Sequence, residues 1–243
     1  MSSPMPTDAQ SNLTTAQLCG VDSGHVQSVP GEASPLIRLQ PAVVQAYQRM
    51  QAAAADAGIT LRIASGFRSF ERQAAIWASK FDQLRPPITA DELHKVLRWS
   101  ALPGLSRHHW GTEFDCYDPV ALRGESLQLE PWEYASSGPM AELFNWLSTH
   151  AHSFGFYRPY LSDDGPGVAA EPWHWSFAPL ASLYQHHYDK PQAILDALEV
   201  HYRDFDVAGR EHLNHQLESL VERYMGSVAT IPEAALGAAS RGT

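Results

Sequence analysis

The chain has 243 residues, with 17 Lys and Arg against 27 Asp and Glu for a formal net charge of −10 and 44% hydrophobic side chains, enough for one cored domain with room for an appendage. The acidic balance and the lack of a basic run exclude a surface built to hold nucleic-acid phosphates or an anionic membrane. Two cysteines, Cys19 and Cys116, cannot form a disulfide framework, and no run of about 18 apolar residues offers a membrane span.

Residues 1–35 are rich in Ser, Pro, Gln, Thr and Gly and are expected to drape over the domain or stay loose. Met1 to Asp8 carry neither the basic nor the apolar region of a secretory signal, so a cytoplasmic protein is expected. From Pro41 to Ala57, Val43, Val44, Tyr47, Met50 and Ala54 recur at helical spacing, and Gly58 supplies a helix stop. A strand is expected over 59–64 and an amphipathic helix over 70–81. Thr89 to Glu92 match a capping box opening a third helix through Trp99, which Pro103 and Gly104 end. A strand at 112–117, a polar loop, a helix at 140–152 closed by Gly155 and a strand at 173–177 follow. Residues 181–243 are expected to form a helical appendage: two or three helices up to Met225, carrying Ile194, Leu195, Leu198, Leu213, Leu217 and Leu220, and then a frayed tail.

Twelve histidines are many for this length. Those at 186, 187, 201, 212 and 215 lie in polar helical patterns and read as surface or boundary residues. Two segments differ. Ser106 to Asp115 couple His108 to Asp115 across Gly111, just before a strand. Glu171-Pro172-Trp173-His174 place a carboxylate three residues before an imidazole, and the extended geometry that Pro172 favours puts both on one side. Two imidazoles, a ligating carboxylate and a spare carboxylate are the inventory of a catalytic zinc site. Spacing alone leaves open that these are packed, hydrogen-bonded core histidines. It also leaves His109 open as an alternative ligand to His108, whereas Cys116, on the strand face opposite Asp115, reads as a buried thiol.

Ser65-Gly66-Phe67-Arg68-Ser69, with Gln73 one helical turn on, precede those segments. S-G-[FY]-R-S-x3-Q, S-x-H-x2-G-x3-D and E-x-W-H-W in this order resemble the VanY-type D-alanyl-D-alanine carboxypeptidases. These belong to a group of zinc peptidases that also holds D,D-dipeptidases, phage endolysin peptidases and the hedgehog signalling domain. The resemblance covers residues 36–180. It implies an α+β domain whose small antiparallel sheet, flanked by helices, carries one zinc ion held by His108, Asp115 and His174. Glu171 would then be the general base, Arg68 would hold the scissile carbonyl, and Gln73 and Ser106 would hold the terminal D-residue. Glu113 departs from the family, which usually has a small residue there. It either adds charge beside the metal, pairs with a base such as Arg107, or selects a substrate bearing an amino group.

The expected activity is removal of a terminal D-alanine from a peptidoglycan stem peptide or muropeptide. A cytoplasmic D,D-enzyme would damage wall precursors, so an L,D-carboxypeptidase recycling tetrapeptides is expected. The alternatives are a D,D-carboxypeptidase or dipeptidase and a non-catalytic zinc-stabilised binding module, the latter opposed by the presence of both Glu171 and Arg68. The C-terminal helices are open to a role in a homodimer or in capping the cleft.

Overall fold

The computed structural model describes residues 12–213 and 215–237. A short helix, Thr15–Leu18, opens on a capping box in which Thr14 accepts the Gln17 N–H and Gln17 accepts that of Thr14. Strands β1 (Gln27–Ser28) and β2 (Arg38–Leu39) pair antiparallel. This segment is pinned to the domain: Leu18 and Cys19 are buried, and the Gly20 carbonyl accepts the Phe70 N–H at 2.9 Å. Residues 1–11 of the expected loose extension lie outside the described residues.

The Pro41–Asp56 helix buries the apolar stripe read from its spacing, and Gly58 reverses the chain at φ +84°. β3 spans Arg62–Ser65, later than the expected 59–64; just before it, side chains take the backbone groups, with the Thr60 N–H donating to Asp118 Oδ2 at 3.0 Å and the Leu61 carbonyl accepting from Gln51 Nε2 at 2.9 Å. The Phe70–Phe81 helix is capped by Ser69, and the Ala90–Leu97 helix by the Thr89 and Glu92 box. β4 (Glu113–Tyr117), the Ala141–His150 helix, β5 (Phe156–Tyr157) and β6 (His174–Phe177) complete the sheet region.

The four strands run antiparallel in the order β3-β4-β6-β5. Pairing sets Asp115 opposite His174 and Glu113 opposite Ser176, while Phe114 faces Trp175. Because side chains alternate, one face gathers Glu113, Asp115, His174 and Ser176. The other sends Phe114, Cys116, Trp175 and Phe177 into the core, all 5% exposed or less. Cys116 is thus the buried free thiol that its strand position implies.

Beyond β6 the chain stays helical but differs from expectation in two ways. Among the described residues four α-helices, not two or three, lie between 178 and 226: Ala178–Gln185, Gln192–Asp204, Arg210–Leu213 and Leu217–Gly226. The stretch expected to fray is held through Gly237, with a further helix at Glu233–Leu236, a fully buried Ala235 and a 2.8 Å bond from the Ala229 N–H to the Pro159 carbonyl. Residues 238–243 lie outside the described residues.

Ile194, Leu198, Leu213, Leu217 and Leu220 face inward and join one hydrophobic cluster running from Leu13 to Met225. Trp77 donates to the Ala208 carbonyl at 2.9 Å, Tyr202 donates to that of Pro103 at 3.0 Å, and the Phe70 and Phe205 rings lie 4.7 Å apart. Among the described residues no helix is long and apolar enough to cross a membrane.

Candidate metal centre and active site

The residues singled out in the sequence reach the site from three directions. Arg107–Trp110 form a 3-10 turn that ends at Gly111 in the left-handed conformation, φ +68°, and swings the chain from His108 into β4. β4 delivers Asp115, and its neighbour β6 delivers His174 from the paired position. One ligand atom each from His108, Asp115 and His174 lie within 4.8 Å of one another, and all three residues are buried.

The outer contacts of this trio fit a cation. His108 Nδ1 donates to the Gly66 carbonyl at 2.8 Å, which leaves Nε2 turned inward, 3.4 Å from Asp115 Oδ2. On the other histidine the roles are reversed: Nε2 lies 2.9 Å from Glu113 Oε2, and Nδ1 turns inward, 3.1 Å from Asp115 Oδ1. Two imidazoles with opposite nitrogens committed outward, and a carboxylate between their free nitrogens, make a two-nitrogen, one-oxygen donor set suited to zinc, with the outer partners a metal-ligating His normally has.

Glu171 lies beside it, Oε2 being 3.4 Å from His174 Nδ1. Arg68 donates from Nε to Ser65 Oγ at 2.9 Å and from Nη2 to Asp115 Oδ2 at 2.8 Å. Arg68, His108, Asp115, Glu171 and His174 line a cleft of about 680 Å³, together with Ser106, Tyr160, Trp173, Lys80, Lys95, Trp99 and Glu130.

Burial and charge set the protonation of the group. Burial pushes the Glu171 carboxyl up to about 7, with Asp115 adding repulsion and His174 opposing it. Burial also acts on Asp115, but His108, His174 and Arg68 outweigh it and hold that carboxyl well below the usual range. His174, desolvated yet hydrogen-bonded to Asp115 and Glu113, is raised to about 9. His108 is lowered by burial and by the Arg68 cation, so it is a neutral, metal-ready imidazole.

His109 is not available as a ligand. Nδ1 donates to the Arg68 carbonyl at 2.7 Å while Nε2 accepts the Gly104 N–H at 3.0 Å, committing both nitrogens. Gln73 is buried and is not among the cleft-lining residues: its amide donates to the Ala101 carbonyl at 2.8 Å, bracing a segment that does line the cleft.

Tyr160 and Ser100 are among the cleft residues that escaped the sequence reading. Tyr160 packs its ring 4.9 Å from that of His174. Ser100 lines the cleft with a buried Oγ that has no hydrogen-bond partner. Neither sits in a spaced motif, so only the fold brings them in.

Residues 36–180 match the family described as VanY, D-alanyl-D-alanine carboxypeptidase. The chain belongs to the VanY family. An uncharacterised protein of Haemophilus influenzae is 38% identical to this VanY-family peptidase over 126 residues, which span 51% of this chain and 92% of that one. A second from the same organism is 38% identical over 103 residues, spanning 37% and 70%.

Two solved structures share the fold. VanYB in complex with D-alanine-D-alanine has a TM-score of 0.50 and 23% identity, over 73% of this chain and 90% of that chain. The LdcB LD-carboxypeptidase has a TM-score of 0.50 and 20% identity, over 68% and 74%. The sequence expectation of an α+β domain with a small antiparallel sheet of this peptidase type holds.

Proposed function

We propose that this VanY-family chain is a zinc-dependent carboxypeptidase that removes the terminal D-alanine from peptidoglycan stem peptides. The observation that carries this reading is the inward convergence of His108 Nε2, Asp115 and His174 Nδ1, with Glu171 3.4 Å from the last. His108, Asp115 and His174 would hold the ion. When bound, zinc lowers the pKa of a water toward about 7 and polarises a carbonyl oxygen.

The protein's own groups do the rest. Glu171, raised to about 7, takes a proton from the attacking water and passes it to the departing amine of the D-residue. Arg68 has its guanidinium at the cleft, where a fixed cation stabilises negative charge developing on the scissile carbonyl oxygen. Ser106, buried at the cleft wall and free of any capping bond, contacts the terminal D-residue, and Gln73 acts indirectly by holding Ala101 in that wall. That VanYB, seen with D-alanine-D-alanine, and LdcB, an LD-carboxypeptidase, have the same fold supports a stem-peptide substrate.

Between the two scissile bonds we propose the L,D bond, that of a tetrapeptide. The size and lining of the cleft support it: Glu130, Lys80 and Lys95 on its walls suit a penultimate residue with a long charged side chain, which a D-alanine methyl would not use. We propose with it a role in muropeptide recycling, where tetrapeptides would be trimmed.

The test is mass spectrometry of tetrapeptide and pentapeptide muropeptides offered together to zinc-loaded protein. Loss of one alanine from the tetrapeptide is expected. Loss from the pentapeptide alone would make the chain a D,D-enzyme, and no loss from either would remove the carboxypeptidase reading.

A further inference from the structure

Glu113 is open to three readings from its sequence position, and its surroundings select among them. Its Oε1 lies 3.0 Å from Arg107 Nη2 and accepts from Ser176 Oγ at 2.8 Å, while Oε2 accepts from His174 Nε2 at 2.9 Å. Arg107 is itself among the largest fully buried side chains. Its donors reach Glu113, Gln185 at 2.6 Å, the Tyr157 hydroxyl at 3.0 Å and Ser176 at 3.2 Å, and its guanidinium carbon lies 4.4 Å above the Trp110 ring. A buried ion pair of this kind seldom adds net stability over an apolar pair of the same shape. Its geometry gives it another use.

We infer that Glu113 is a positioning residue of the metal centre: it holds His174 with the proton on Nε2 and the Nδ1 lone pair aimed at His108 and Asp115, and Arg107 holds Glu113 in place. With Nδ1 giving its lone pair to a cation the ring would keep one proton, and a carboxylate 2.9 Å from Nε2 accepts it there. The strand register makes this possible, because Glu113 and Asp115 lie on the same face of β4 and bracket His174 from both of its nitrogens. Gln185 extends the chain of contacts, since it accepts from Arg107 and donates to the Met225 carbonyl at 2.7 Å. The helices after β6 therefore steady the same histidine through Arg107. This inference rests on the reading of His108, Asp115 and His174 as ligands.

The test measures zinc affinity by chelator competition, and the visible absorption of the cobalt-loaded protein, on the full chain. Three variants are compared with wild type. In Glu113→Gln the amide oxygen can stay with Arg107 and Ser176, so the amide nitrogen faces His174 Nε2 and drives its proton onto Nδ1, the ligand atom. Zinc affinity is expected to fall about 10- to 100-fold, with a shifted cobalt spectrum. Ser176→Ala removes a bond to the same carboxylate without touching His174, and its affinity is expected to stay within about threefold, as is usual where no ligand-orienting contact is lost. If Glu113→Gln does not fold, the double variant Arg107→Met, Glu113→Ala removes both buried charges together and is expected to show the same loss of affinity. An affinity and cobalt spectrum like those of wild type in a folded Glu113 variant would overturn the inference. A wild-type chain that binds no zinc would instead overturn the metal reading beneath it.

Discussion

Glu171 and Asp115 both touch His174, yet their surroundings drive them in opposite directions. Burial lifts Glu171 to about 7, whereas His108, His174 and Arg68 overcome burial at Asp115 and keep it an anion. Two carboxylates pushed apart in this way divide the labour of a site, one exchanging protons near neutral pH and the other holding positive charge. Glu171→Gln should therefore lower kcat by about 10²- to 10⁴-fold with little change in KM. The base works only when ionised, and a bound cation would draw its pKa down, so the acid limb of kcat/KM should lie at or below about 7. A Glu171→Gln enzyme with unchanged kcat would take the base assignment away.

His109 gives a second prediction at this scale. Burial holds its pKa near 3, below the unfolded value of 6.5, so the unfolded chain binds the extra proton first as pH falls. Its stabilising effect is whole above pH 6.5 and is lost as pH drops toward 3, at up to about 1.4 kcal/mol per pH unit. Urea unfolding from pH 7 to pH 4 should show that slope, and His109→Gln should flatten it. An equal slope in both proteins would mean that another group carries the acid sensitivity.

The elements legible in the sequence are those whose signals are local. The Thr89 and Glu92 capping box, the Ser69 cap and Gly58 all act within a few residues, and helices sit where they point. The two-residue strands β1, β2 and β5 were not legible, because nothing in Gln27–Ser28 or Phe156–Tyr157 alternates long enough to show a period. The site divides likewise. Motif order picked out the candidate metal trio, Glu171 and Arg68, but not the burial of Gln73, nor Gly20, where a Cβ would run into His109 Nδ1 across 89 positions of chain. Alternation along β4 and β6 also predicts a pattern of period two in substitution. Changes at Asp115 and His174 should abolish turnover while sparing soluble yield, and changes at Phe114, Trp175 and Phe177 should lower the yield itself. A site-saturation scan scored for both abundance and activity would show it, and a uniform loss along the strands would contradict the two-faced sheet.

On the scale of the molecule, the helices after β6 belong to the domain's core and are not an addition to it. They cover Phe70 and Trp77, tie Tyr202 to Pro103, and reach the metal region through Gln185. A chain ended after Pro179 would uncover that aromatic surface, so it should be insoluble or melt without cooperativity. A truncated chain that melts cooperatively and keeps its turnover would show that the first 179 residues suffice.

Both thiols are sealed in the same interior, with burial pushing Cys19 up to about 12 and Cys116 well above the ordinary range. The native protein is therefore silent toward thiol reagents at neutral pH. One cysteine introduced at Trp99, which lies on the cleft rim and is 43% exposed, would be its sole reactive sulfur, and a fluorophore there would report the arrival and departure of a peptide without a background to subtract.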